Sequence, residues 1–224
     1  MLKVTWLFFL LIYTFNCYCQ SVTDYKIVAV KPTIITNPPH TLDLTDTLDP
    51  ERSFSEPEVI LGGLKPEYPI ARSYEKPPSG ACVKCLRQFH TLSSHCINYI
   101  VLKDSSLVEI NSKEKFKEIY APVEDEEEAL GFAYVLCDLF HPKAIYDFGF
   151  LKCKECDYHV YKKEIYPTNV KKVEGGYEVL LYSTYWGSTS YSSECIYFVT
   201  LAGDVSLISR TYVFEDKNYN LIID

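Results

Sequence analysis

The sequence predicts an α+β domain, in which a helix packs on an antiparallel meander sheet of about four to six strands behind a Pro-rich extended arm. Three observations predict it. Nine of the twelve prolines fall between residues 20 and 80, a density that interrupts helices and strand ladders alike. One stretch, 125–140, carries apolar residues at three- and four-residue steps behind an acidic start, which is the helical period. From residue 159 onward the chain is run after run of Val, Ile, Tyr, Phe and Thr divided by glycine-bearing turns, the signature of successive short strands. A helix and then a set of hairpin-linked strands must bury their apolar faces against each other.

The chain opens MLKVTWLFFLLIYTFNCYCQ. Lys3 stands ahead of an apolar run from Val4 to Phe15 that is broken only by Thr5 and Thr14, the pattern of a secretory signal. Residues 1–19 are therefore expected to be removed, leaving Gln20 as the first mature residue. The run falls short of the roughly 20 apolar residues a membrane span needs, so no transmembrane span is expected in the mature chain. A lipid anchor at Cys17 or Cys19 is disfavoured, because Asn16 or Tyr18 would precede the acylated cysteine where a small residue is wanted. The expected location is outside the cytosol, whether secreted, periplasmic or at the outer envelope.

Residues 20–80 read as an extended or partly disordered arm with two apolar islands, YKIVAV at 25–30 and EVILGGL at 58–64. The first could add an edge strand; the second suggests a Gly-Gly turn. Residues 81–224 read as the α+β domain. INYIVLKDSSLVEI (97–110) has the form of a hairpin, two β-rich runs around Lys-Asp-Ser-Ser. Asn111 or Ser112 is placed to cap a helix over 113–120 that Pro122 ends. Asp125 followed by Glu128 is a capping-box spacing, and the acidic run Glu124–Glu128 suits a helix N-terminus. Leu130, Tyr134 and Cys137 share that helix's inward face, and the helix is expected to reach about Phe140 before Pro142. Of the later strands, 194–201 is apolar on both faces and is expected at the centre of the sheet, whereas 159–166, with Lys162 and Glu164, suits an edge. Over 97–214 this element order resembles small exported folds of the cystatin-like and PepSY-like classes, a resemblance of order rather than of motif, which implies a helix lying across a curled sheet.

The net charge of −8 and the lack of a basic stripe argue against nucleic acid, since phosphate backbones are held by clustered Lys and Arg. No G-x-S-x-G, H-E-x-x-H or glycine-rich phosphate loop occurs, and no catalytic residue is assigned. The cysteines are more informative. Seven follow residue 19 (Cys82, Cys85, Cys96, Cys137, Cys153, Cys156 and Cys195), an odd number, so one is left over from any full pairing. Cys137, on the apolar helix face, is the expected odd one, behaving as a small buried hydrophobe. Three readings of the other six stay open. Cys82, Cys85, Cys96, Cys153, Cys156 and Cys195 would make up to three disulfides in an oxidising compartment. Alternatively the two CxxC pairs, Cys82/Cys85 and Cys153/Cys156, would close a four-thiolate zinc site, leaving Cys96 and Cys195 for one disulfide. In the third reading one CxxC is a thiol–disulfide redox centre.

The stretch YSTYWGSTSYSSEC (182–195) places Tyr182, Tyr185, Trp186 and Tyr191 around a Gly-Ser loop. Rigid tyrosines set among small hydroxyl residues are the composition of adaptable binding surfaces, and these four are the expected recognition residues. The functional expectation is a non-catalytic exported module that binds a protein or envelope ligand and is braced through its cysteines. The alternative is an exported thiol–disulfide oxidoreductase acting through a CxxC pair.

Overall fold

The computed structural model describes residues 26–27, 37–44, 52–75, 86–89, 95–139, 142–152, 157–186 and 190–217. Strand β1 (Lys26–Ile27) forms a short parallel pair with a later strand. β2 (Arg52–Ser55), a 3-10 turn at Val59–Gly63, and β3 (Ile70–Glu75) follow. Next come β4 (Arg87–Phe89), the long β5 (His95–Lys103) and β6 (Ser106–Ile110), then helices α1 (Lys113–Tyr120) and α2 (Glu126–Leu136). The second half contains β7 (Pro142–Lys143), β8 (Tyr158–Val160), β9 (Glu164–Ile165), β10 (Asn169–Val173), β11 (Gly176–Trp186), β12 (Ser190–Thr200) and β13 (Val205–Asp216). This is a mixed, broadly α+β architecture with two antiparallel sheets. A five-stranded sheet runs β2-β3-β5-β4 with β6 also on β5, and a six-stranded sheet runs β10-β11-β12-β13-β8 with β7 on β11.

The expected arm is where the structure departs most from the sequence reading. Residues 52–75 are part of the fold. β3 pairs with β5 from Ile70↔Val101 to Glu75↔Cys96, and Ile60, Leu61, Leu64 and Ile70 are core residues. The Gly-Gly segment forms a 3-10 turn pressed against α2. A Cβ on Gly63 would lie 2.5 Å from the Glu127 Cβ, and one on Gly131 would lie 2.8 Å from a Leu64 methyl. Pro57, Pro66 and Pro69 sit between the elements, never inside a strand. Proline density marked the connections of a folded segment, because a residue without an N–H is excluded from ladders but not from the links that join them.

Local chemistry accounts for both helices. The Ser112 hydroxyl accepts from the Lys115 N–H at 3.2 Å and caps α1. The Asp125 carboxylate accepts from the Glu128 N–H at 2.9 Å. The Glu128 carboxylate reaches back to the Glu124 N–H at 2.5 Å, one residue before the position that a capping box would use. α2 stops at Leu136, a turn short of the expected end, since Cys137 turns extended with ψ 158°. Asp138 then accepts a hydrogen bond from the Tyr197 hydroxyl at 2.5 Å, so its side chain anchors to the sheet where a continued helix would have pointed it elsewhere.

α2 contacts β10, β11, β12, β13 and the 3-10 turn. Its Leu130, Phe132, Ala133 and Leu136 share one core with Tyr177, Val179 and Leu181 of β11 and with Cys195, Tyr197 and Val199 of β12. A smaller core on the other face of the six-stranded sheet gathers Phe148, Leu151, Ile165, Leu180, Tyr182, Val213 and Phe214. β12 is central, paired with β11 and β13 along its whole length. β8 lies at the sheet edge beside β13. Among the described residues no helix is long and apolar enough to cross a membrane.

Two stability predictions follow from this packing. Gly203 turns β12 into β13 at φ +81°, and a Cβ there would meet the Phe132 ring at 2.5 Å. Gly203→Ala is therefore expected to destabilise the fold by about 2–4 kcal/mol, combining left-handed strain with overpacking, as read by thermal unfolding. The second concerns Glu194 on β12, which is buried. Lys162 Nζ binds one of its oxygens at 2.6 Å, and Oε2 has no hydrogen-bond partner among the described residues. Lys162→Met leaves that carboxylate uncompensated and is expected to lower stability by about 1–3 kcal/mol; adding Glu194→Gln should recover most of the loss in urea titrations.

Candidate functional site

An α-helix rises about 1.5 Å per residue and a strand about 3.3 Å. α2 has 11 residues, whereas β11, β12 and β13 have 11, 11 and 12. The strands therefore outrun the helix by roughly 20 Å by these same rises. The helix covers the end that holds Tyr177, Val179, Leu181, Tyr197 and Val199. On the same face beyond it, period-two alternation brings up Tyr185 on β11 and Tyr191 on β12.

The two are directly opposite in the β11–β12 register, and their rings stack at 4.8 Å with 21° between planes. The row continues across the sheet. Tyr212 on β13 meets Tyr191 edge-to-face at 5.2 Å. Tyr161, just past β8, lies 6.5 Å from Tyr212, and His159 sits 4.5 Å from Tyr161. The Tyr161 hydroxyl donates to the Glu215 carboxylate, which raises that phenol's pKa. Desolvation and the neighbouring Tyr212 push the Tyr191 phenol up as well. Tyr185, Tyr161 and Tyr212 are nevertheless 53%, 53% and 57% exposed. The result is a row of four tyrosine rings and one imidazole across four strands, with one carboxylate at its edge.

The four expected recognition residues divide. Tyr185 and Tyr191 form the stacked pair that begins the row. Tyr182 is overturned as a surface residue: it faces the other side of the sheet, fully buried, with its ring 5.6 Å from Phe148 and its hydroxyl donating to the Tyr166 carbonyl. The alternation puts it one step out of phase with Tyr185, so exposure could not be shared. Trp186 pairs with Ser190 through its backbone, and its side chain lies outside the described residues. Sequence reading missed Tyr161, His159, Tyr212 and Glu215. β13 carries two extra residues relative to β12, Ile208 and Val213. These bulges put Leu207, Arg210, Tyr212 and Glu215 on one face at irregular spacing, which defeats a period-two count.

The cysteine readings are reached only in part. Cys82, Cys85, Cys153 and Cys156 lie outside the described residues. The first pair's neighbour, Leu86, belongs to the core and donates its N–H to Asn98 of β5 at 3.0 Å. The second pair is flanked by Lys152 and by Asp157, whose carbonyl accepts from Lys217 just past β13. The neighbours of the two pairs thus attach to different sheets. Among the described residues no group of three or more His, Cys, Asp or Glu is poised to hold a metal. Cys96 is disulfide-bonded, whereas Cys195 is a buried thiol. The Cys96–Cys195 bridge that the zinc reading required is therefore not formed. Cys137 is a buried thiol too, so it is not the single leftover.

No family model, curated protein or solved structure matches the chain.

The buried tyrosines give a pH prediction. Burial raises the phenol pKa of Tyr120, Tyr182 and Tyr197 above the ordinary value, with the Glu194 carboxylate adding to it at Tyr182 and the hydrogen bond to Asp138 at Tyr197. A folded-state pKa above the unfolded one, about 10, gives stability that is complete below that pH and lost as pH rises past it. Tyrosinate absorbance of the buried phenols and circular dichroism are thus expected to change together above about pH 10.

Proposed function

We propose that the protein is a non-catalytic exported binding module whose recognition surface is the tyrosine row Tyr185–Tyr191–Tyr212–Tyr161, with His159 and Glu215 at its end. The observation that carries this reading is the uncovered half of the sheet face, where large rings stay in solvent although the same strands bury Tyr177 and Tyr197 under α2. Contiguous exposed aromatic surface of this kind marks interaction sites. Tyrosine suits the task, because it offers rigid apolar area and a hydrogen-bonding tip at small entropic expense. The sheet holds the rings in fixed register, so a ligand meets a preorganised platform. The expected ligand is an extended protein or envelope polymer with apolar faces that can lie along the row and polar edges that can reach its hydroxyls. The brace on the module would be cysteine-based, through disulfides or a zinc site at Cys82, Cys85, Cys153 and Cys156, and export would follow from the signal at 1–19.

Screening the full chain against immobilised envelope polysaccharides and extracellular protein fragments tests this reading, with Tyr185→Ser/Tyr212→Ser as the control. Both side chains are more than half exposed, so melting should shift little. Loss of two aromatic anchors is expected to weaken binding by about tenfold or more, since each such anchor is typically worth over 1 kcal/mol. A ligand that binds the double variant as well as the parent, or a turnover activity abolished by one substitution away from the row, would sink the proposal.

A further inference from the structure

Two thiols outside the CxxC pairs lie in one core near the point where α2 ends. Cys137 caps the helix, only 6% exposed, with its Sγ 3.4 Å from the Tyr134 carbonyl. Cys195 lies on the central strand β12, fully buried, its Sγ 4.0 Å from the Ser193 carbonyl. Asp138, the residue after Cys137, ties the two neighbourhoods together. Its carboxylate accepts from the Tyr197 hydroxyl at 2.5 Å and has Arg210 Nη2 4.0 Å away. Tyr197 is two residues from Cys195 on the same face, and Arg210 is directly across from Cys195 in register. The residue after one thiol thus bonds Tyr197 and pairs with Arg210, both beside the other thiol, and the two thiols share one core. Burial pushes the Cys195 thiol pKa up, Arg210 pulls against that, and Cys137 is close enough to add to it.

We propose that Cys137 and Cys195 form an oxidation site, which a small-molecule disulfide converts into an intramolecular disulfide tying the end of α2 to β12. The chemistry balances as two exchanges. The Cys137 thiolate, at the less enclosed position, attacks one sulfur of RSSR, forms a mixed disulfide and releases one RS⁻, which leaves as RSH with the proton that Cys137 lost. Cys195 then displaces the second RS group in the same way. The protein loses two hydrogens and two electrons, and one RSSR becomes two RSH. Because a thiolate must attack and both sulfurs are enclosed, closure is slow at neutral pH and accelerates as pH rises. The bridge would pin the border of the tyrosine row, next to Arg210 and Tyr212, without altering any ring.

The test uses the full-length protein equilibrated with oxidised and reduced glutathione at fixed ratios, then alkylated after denaturation and mapped by mass spectrometry. The expected result is a Cys137–Cys195 linked peptide at oxidising ratios, faster closure at higher pH, and a melting temperature several degrees above that of the reduced protein. Cys137→Ser and Cys195→Ser should each abolish that rise. Full alkylation of Cys137 and Cys195 under conditions that keep Cys96 bridged overturns the proposal, as does linkage of either to another cysteine. Should a serine variant fail to fold, the peptide map of the parent protein decides alone.

Discussion

The packing of a short helix on long strands governs the rest of this molecule. α2 and β12 have the same number of residues, yet a strand advances more than twice as far per residue. The helix can therefore bury only about half of the face on which it lies. The covered half becomes the main core, lined by Tyr177, Val179, Leu181, Cys195, Tyr197 and Val199. On the reverse face, Phe148 and Leu151 from the segment after β7 pack under Leu180, Tyr182 and Phe214. The two faces are thus filled by different parts of the chain, and the uncovered half of the helix face is where tyrosine side chains remain in solvent.

Tyrosine has two physical roles here, separated by what each hydroxyl finds. Inside, a buried ring needs a partner for its O–H, and Tyr99, Tyr177, Tyr182 and Tyr197 each reach a group at the margin of their core. Tyr177 donates to the Glu124 carbonyl at 2.6 Å, Tyr99 to the Glu58 carboxylate at 2.9 Å, and Tyr197 to Asp138. These bonds fasten loops and helix ends onto the sheets. Outside, the rings have one another and water. Their cross-strand contacts order the row but leave the outward faces uncommitted, which is the condition a binding surface needs.

Much of the secondary structure was legible because it rests on local chemistry. Ser112 and Asp125 cap helices wherever the rest of the chain goes. The hairpin of β5 and β6 turns at Asp104 and Ser105, both at positive φ, within the Lys-Asp-Ser-Ser segment that the pattern marked. The fate of residues 52–75 was not legible. Prolines at 57, 66 and 69 dominate the local signal there, while the stabilising term is the burial of Ile60, Leu61, Leu64 and Ile70 against a distant helix and strand. The site divided the same way. Tyr185 and Tyr191 were marked by composition, but Tyr182 is sorted to the opposite face by alternation against the core.

By itself, the sequence determined the two helices and where they start, the strands that follow them, the central position of β12 and the aromatic character of the 182–195 stretch. Each is a matter of neighbours within a few residues, where caps, turns and periodicity act. Only the tertiary structure decided which tyrosines stay exposed, since that depends on where α2 ends relative to strands brought alongside it. It also decided that Tyr161, Tyr212 and Glu215 join the row, because the two bulges in β13 reset the phase of its side chains against β12. The shared core of Cys137 and Cys195 has the same origin: they are far apart in the chain, and the helix packing on the sheet buries both.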